Sequence, residues 1–327
     1  MSRQHSNQLS YGPATSTPRF LLHEASRIHA CRPRRNISHL HTKLSGACMT
    51  NPPTATKTQP SQDQMAMIIG IPHSGRNIDD AALMGCGHWT RAEHAQFADP
   101  YLDVLTESLK PMADGLVVQH TSRSLVDTNR CPGDQANDGP CHCDGELHKN
   151  AIGLGLMPKR VSTTRLLERH EHEMASRRAL FLHSQYHEKM AYEVQKHTNK
   201  QILILELHSM PGRSGRELGW CVGNRFGASS APWMLELVMG AIAKQYPREH
   251  VAANSPFAGL YSAWLHGKPE QDVHFLQLEA NRQLIGTTPE DVQRHQEKIA
   301  NILAHIKKEG PRRSPKFNRE ETPSKGH

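Results

Sequence analysis

QILILELHS, residues 201–209, is the segment that decides the architecture. Its apolar run is short, rich in Ile and Leu and closed by polar residues, which predicts a buried strand. MAMIIGI (65–71) reads the same way and runs into Pro72-His73-Ser74-Gly75, a strand ending in a tight loop. VHFLQLE (273–279) is a third such strand and closes on a carboxylate. GLVVQH (115–120) is a fourth, with SRSLVDTNR (122–130) as a further strand or its continuation.

Helical patterns separate these strands. Tyr101, Leu102, Leu105 and Leu109 follow Pro100 at helical spacing. The polar, Glu/His/Arg-rich stretch from Ser162 to Asn199 predicts two helices. Residues 231–246 predict another, and 289–308 a closing one after a Thr-Thr-Pro-Glu start. Strands alternating with helices predict an α/β fold, a mostly parallel mixed sheet with helices on both faces. Ligands gather at the carboxyl ends of strands in such sheets. His73, Asn129, Arg130, His208 and Glu279 all fall at those ends.

Composition bounds the rest. A mean hydropathy of −0.64 with 36 % hydrophobic residues is low for a compact enzyme, so part of the chain is expected outside the folded domain. Residues 1–64, rich in Ser, Thr, Pro, Gln and His, read as a disordered basic extension, 65–308 as the folded domain, and 309–327 as a basic disordered tail. Residues 1–60 hold eight Lys/Arg and one acid and so account for the whole net charge of +7. The remainder is neutral overall, which argues against a nucleic-acid groove. No apolar run is long enough to span a bilayer, which argues against a membrane role. Seven scattered cysteines form no secreted disulfide framework and point to a reducing, cytoplasmic setting. The Ser/Arg-rich, acid-poor N-terminus has the composition of an organellar transit peptide, which would make the protein mitochondrial. A plain extension, or a start at Met49 or Met65, is the alternative. Oligomeric state stays open.

His73 (IPHSG) and His208 (LELHS) are the first candidates for chemistry. A catalytic zinc site uses three ligands from His, Asp and Glu and keeps a position open for water, whose pKa the ion lowers to about 7. In Asp127-Thr128-Asn129-Arg130, the guanidinium either grips a substrate carboxylate or forms a structural pair with Asp127. Glu279 is either a general base beside a metal or the partner of Arg282. The Cys-rich stretch 131–148 (Cys131, Cys141, His142, Cys143, His148) reads as a polar insertion loop, with a second metal site as the alternative. The His/Glu-rich 168–187 segment reads mainly as a solvated helix face.

IPHSG, DTNR, Tyr186-His187, LELHS, the Asn254–Gly259 stretch and LQLE occur in the order found in N-formylglutamate amidohydrolases, and over roughly residues 66–285 the chain resembles that family. The family is similar in fold to the zinc carboxypeptidases. The resemblance implies one Zn²⁺ and a metal-activated water that cleaves the amide of a small N-formyl or N-acyl amino acid. It implies His73 and His208 as ligands, Glu279 as general base, and Asn129 and Arg130 as the grip on a substrate carboxylate. Arg178 matches another recurrent Arg of the family. Arg76, counted with these substrate-binding residues, stands where zinc carboxypeptidases carry a ligating Glu. Asp99 is then the third ligand implied, with Asp79 and Asp80 in reserve. Glu206 replaces an Asp as the carboxylate orienting a ligand. Trp264 replaces an Arg ahead of the Gly267-Lys268-Pro269 turn, which points to a different acyl-amino acid if that Arg reads glutamate. A carboxypeptidase-like peptidase and a catalytically silent binding protein are the competing readings.

Overall fold

The computed structural model describes residues 65–132, 152–161, 165–212, 218–286 and 288–313. The N-terminal extension, most of the Cys-rich loop and the end of the C-terminal tail lie outside the described residues.

Six strands form one sheet: β1 (Met65–Ile71), β2 (Gly115–Val118), β3 (Gln201–Met210), β4 (Leu218–Gly223), β5 (His250–Ala253) and β6 (Val273–Asn281), in the order β2-β1-β3-β6-β4-β5. All neighbours are parallel except β4 with β6. The three central strands β1, β3 and β6 are almost wholly buried, as their continuous apolar runs predict. Side chains alternate between the faces. Met67, Ile69, Leu203, Leu205 and Leu276 point to one side and pack on α2 (Leu102–Leu109), α4 (Pro232–Gln245) and α7 (Pro289–Arg313). Ala66, Ile68, Ile202, Ile204 and Phe275 point to the other and meet Tyr186 and Met190 of α3 (Glu173–Gln195) and Ala263 of α5 (Tyr261–His266). Helices therefore cover both faces, as expected. Two short helices, α1 (Arg91–Ala95) and α6 (Arg282–Ile285), complete the described set. None of the described helices is long and apolar enough to cross a membrane.

Four local expectations change. The stretch 162–199 holds one long helix, because residues 173–195 contain neither Gly nor Pro to break it and His172 caps its start by accepting from Ala175 N. SRSLVDTNR is not a strand. Ser122 O accepts from the N–H groups of Leu125 and Val126, and its hydroxyl bonds Ser124, so the chain turns back on itself. Strands β4 and β5 were not expected: LGWCVG is bounded by glycines, and HVAA is a half-exposed edge strand. Finally, α7 begins at the Thr288 cap, whose hydroxyl accepts from Asp291 N, and runs past 308 to Arg313.

Gly70 sets the spacing between the sheet and α3. A β-carbon there would lie 2.9 Å from the Tyr186 hydroxyl and 2.9 Å from the Met190 methyl. Its absence lets α3 lie close over β1 and β3, near where Glu206 emerges.

Candidate active site

The side chains of Glu206 and His208 project from the face of β3 that α3 covers, and Gln277 and Glu279 do so from β6. The ladder pairs His208 with Glu279. His73 follows β1 directly, and the Asp99 N–H donates to the His73 carbonyl at 3.0 Å, which brings a residue from the next loop to the same edge. All four side chains that meet here, His73, Asp99, His208 and Glu279, are buried.

His73 Nδ1, His208 Nδ1 and Asp99 Oδ2 converge. The separations are 3.1 Å between the two nitrogens, 3.3 Å from His208 to Asp99 and 3.4 Å from His73 to Asp99. Ligand bonds of about 2.0–2.1 Å in a tetrahedral array give edges of about 3.3 Å. The outer nitrogens are already committed. His73 Nε2 lies 2.8 Å from Asp127 Oδ1, and His208 Nε2 lies 2.9 Å from Glu206 Oε2. A carboxylate can only accept, so each Nε2 carries a proton, and a ring without a second proton turns its Nδ1 lone pair inward. Three donors with inward lone pairs at this spacing fit a divalent ion with one position left open, and these residues could hold one.

The electrostatics favour a cation at this point. Burial works against charge on His208, but Glu279, Asp99 and Glu206 outweigh it and raise its pKa to about 10. Burial likewise opposes ionisation of Asp99, yet its contacts with His208 and His73 and the charge of Arg123 hold its carboxyl below the ordinary range. Asp127 is also buried, and the Arg123, Arg130 and His73 charges bring it well below that range. Arg123 is the tie between the two acids: its Nη2 lies 2.8 Å from Asp127 Oδ2 and its Nη1 3.5 Å from Asp99 Oδ1. Glu206, fully buried on β3, accepts from the Tyr186 hydroxyl at 3.2 Å as well as from His208.

Glu279 is set apart from these acids. Burial raises its pKa, with His208 pulling the other way. Gln277, two residues earlier on the same face, donates to Glu279 Oε1 at 2.8 Å and accepts from Asn129 Nδ2 at 3.1 Å. Asn129 Oδ1 in turn accepts from Ser262 N at 3.1 Å. Arg130 donates from Nε to the Leu154 carbonyl at 2.8 Å and from Nη1 to the Asn129 carbonyl at 3.0 Å. Arg282 turns to Ser209 Oγ at 3.1 Å and toward Asp99 at 3.5 Å rather than to Glu279. A cavity of about 160 Å³ opens among His73, Asp99, Asn129, Arg130, His208 and Glu279.

Six expected residues thus share one cavity. Arg178 does not join them: it is half-exposed and forms a two-pronged ion pair with Asp80. Arg76 is largely exposed, pairs with Asp103 and lines a neighbouring cavity beyond Asp99. Asp79 does not join His73, Asp99 and His208; its N–H donates to Asn77. Trp264 is half-exposed beside Tyr261. Within the His/Glu-rich segment, His183 and His187 are buried and hydrogen-bond the carbonyls of Arg130 and Thr128 at 3.0 and 2.8 Å, so α3 backs the Asn129-Arg130 loop. Arg123 and Gln277 were not foreseen. Gln277 carries a readable signal, since it shares a strand face with Glu279 at i, i+2.

A family model described as N-formylglutamate amidohydrolase matches residues 65–286. Among solved structures, the N-formylglutamate amidohydrolase from Ralstonia eutropha JMP134 aligns with a TM-score of 0.61 at 20 % identity, over 77 % of this chain and 96 % of that one. A gene product of Agrobacterium tumefaciens aligns with a TM-score of 0.54 at 16 % identity, over 74 % of this chain and 88 % of that one. At these identities the likeness is one of fold. No curated protein matches the sequence.

Proposed function

The chain belongs to the N-formylglutamate amidohydrolase family, and from that premise we propose that it hydrolyses the amide bond of a small N-formyl or N-acyl amino acid with one Zn²⁺ held by His73, Asp99 and His208. The observation that carries this reading is the convergence of three inward lone pairs within 3.4 Å while both imidazole Nε2 atoms are occupied by carboxylates. When bound, a zinc ion supplies Lewis acidity at its open position, acidifying water and polarising a carbonyl.

The chain's own residues perform the remaining work. Glu279 takes a proton from the attacking water as the water oxygen bonds to the acyl carbon. It then passes that proton to the departing nitrogen as the C–N bond breaks, releasing a carboxylic acid and an amine. The acid's proton then moves to the amine to give a carboxylate (formate from a formamide) and an ammonium. Its raised pKa suits a group that must both accept and return a proton. Arg130 holds the substrate carboxylate at the cavity wall, and Asn129, fixed by Gln277 and Ser262, keeps that wall in place. Asp127 and Glu206 orient the two imidazoles, the work that carboxylates do behind metal-bound histidines.

Metal content and formate release from N-formyl amino acids test this reading together. Wild-type protein should contain one zinc per chain, and His73→Ala and His208→Ala should lose it. Glu279→Gln should keep the zinc and lose hydrolysis by about 10²–10⁴-fold. A metal-free wild type, or near-normal turnover by Glu279→Gln, overturns it.

A further inference from the structure

We propose that the cleft beside the catalytic cavity, walled by Phe226, Phe257 and Leu260, is a subsite for a bulky apolar side chain, so that the favoured substrates are N-formyl or N-acyl derivatives of aromatic or aliphatic amino acids. The inference rests on the amidohydrolase reading above and narrows its substrate.

The cleft has a volume of about 440 Å³ and shares Arg130, Phe257 and Leu260 with the catalytic cavity of about 160 Å³. The smaller cavity lies below the roughly 300–1,000 Å³ of ordinary ligand sites, whereas the two together fall inside that range. Arg130 borders both. A carboxylate held there places the substrate α-carbon at the junction, the acyl group toward His208 and Glu279, and the side chain toward the cleft. Leu154, Pro256 and Ala258 continue its apolar lining.

Phe226 shows that this wall is built. It is 82 % exposed, so core packing does not account for its position. It sits in a turn whose φ angles are +51° at Arg225, +54° at Phe226 and +93° at Gly227. For a residue with a β-carbon such a conformation costs about 1–2 kcal/mol, and strain of this kind persists where surrounding structure enforces it, typically at binding sites. Two asparagines enforce it here. Asn254 Oδ1 accepts from the N–H groups of Asn224 at 2.9 Å and Phe226 at 3.3 Å. Asn254 Nδ2 donates to Asn224 Oδ1 at 2.9 Å, which also accepts from Gly227 N at 3.0 Å. Gly223 lets the turn approach the opposite wall, since a β-carbon there would fall 2.5 Å from the Ala258 backbone. The Asn254–Gly259 stretch therefore has two tasks: Asn254 clasps the turn that presents Phe226, and Phe257 faces the cleft. Arg225 and Asn254 also line the cleft, but Arg225 Nη1 donates to the Leu260 carbonyl at 3.3 Å and the Asn254 amide is engaged by Asn224. These polar members are thus turned to protein partners while the aromatic and aliphatic ones face the opening.

The zinc-loaded full chain is assayed with N-formyl-phenylalanine, N-formyl-leucine, N-formylglutamate and N-formylglycine. Binding of the same four compounds to the Glu279→Gln protein is measured by calorimetry. Phenylalanine and leucine derivatives should exceed the other two at least tenfold in kcat/KM and in affinity. Phe226→Ala, an exposed substitution, should reduce the phenylalanine-to-glycine ratio at least fivefold. Preference for the glutamate compound, or a ratio unmoved by Phe226→Ala, overturns the subsite. Apolar-selective binding without hydrolysis would uphold the cleft and sink the hydrolase reading. Hydrolysis with no side-chain preference would do the reverse.

Discussion

The Nδ1 atoms of His73 and His208 stand 3.1 Å apart with both Nε2 atoms engaged by carboxylates. With no proton on Nδ1 these imidazoles point lone pairs at each other, with a third from Asp99. Either a proton on His208, whose pKa is raised to about 10, or a metal ion among the three atoms relieves the repulsion. Metal binding should therefore stabilise the fold. At a free zinc concentration of 100 times Kd the gain is about 2.7 kcal/mol, or about 5–10 °C in Tm for a domain of this size. Thermal melts before and after chelation measure it. A shift that survives in His208→Ala would place the ion elsewhere.

Glu206 tests the outer layer of the same site. Its two oxygens serve His208 Nε2 and the Tyr186 hydroxyl, and it is fully buried. Glu206→Gln preserves shape but removes the charge that strengthens His208 as a donor to metal. Zinc affinity should fall about 10–100-fold, with Tyr186→Phe, which removes only the hydroxyl, falling less. Competition with a chromogenic chelator reads both. Equal losses in the two variants would mean that the hydroxyl, not the charge, orients the imidazole.

Gln277 joins Glu279, the proposed base, to Asn129 beside the proposed substrate grip through its two hydrogen bonds, to Glu279 at 2.8 Å and from Asn129 at 3.1 Å. Gln277→Leu leaves a buried carboxylate oxygen and a buried amide each short of a partner, at a cost of about 1–3 kcal/mol. We expect kcat to fall and KM to rise, each by about tenfold, because the residue supports both parts of the cavity. Steady-state kinetics with an N-formyl amino acid separates the two effects. A change in KM alone would remove Gln277 from the support of Glu279.

The ends of β1, β3 and β6 were legible because a buried strand closing on a polar residue is a local pattern. His73, His208 and Glu279 follow from it directly. Asp99 is different: its place depends on one hydrogen bond to the His73 carbonyl, a contact no spacing encodes, and only the family resemblance pointed to it. The pairings of Arg178 with Asp80 and of Arg123 with Asp99 are tertiary facts of the same kind. Asp80 lies 98 positions from Arg178, and Asp99 meets Arg123 across the mouth of the sheet. The single helix α3 was not foreseen: the sequence predicts two helices although 173–195 holds neither Gly nor Pro, and its His-rich composition suggested a solvated surface. His183 and His187 are buried instead because neighbouring backbone carbonyls give them partners.

His295 provides a prediction independent of the metal. It lies on α7, stacked on Trp220 and accepting from the Tyr246 hydroxyl at 2.6 Å, with no hydrogen-bond partner for Nε2 among the described residues. Burial, aided by the nearby Lys298 charge, lowers its pKa from 6.5 to about 4. The unfolded chain takes up this proton below pH 6.5, and the native protein does so only near 4. Stability from this group is thus complete above pH 6.5, declines as pH falls, and is lost by about pH 4. The size is about 3 kcal/mol at 1.36 kcal/mol per unit of pKa. In the double variant His295→Phe with Tyr246→Phe, which keeps the ring stack and leaves no orphaned hydroxyl, the slope of unfolding free energy against pH should lose up to one proton between pH 6.5 and 4. His266, lowered by burial to about 4, keeps its own share of that slope in both proteins, so the comparison isolates His295. Urea denaturation across this range measures the slopes, and identical ones would show that His295 is protonated in the native fold.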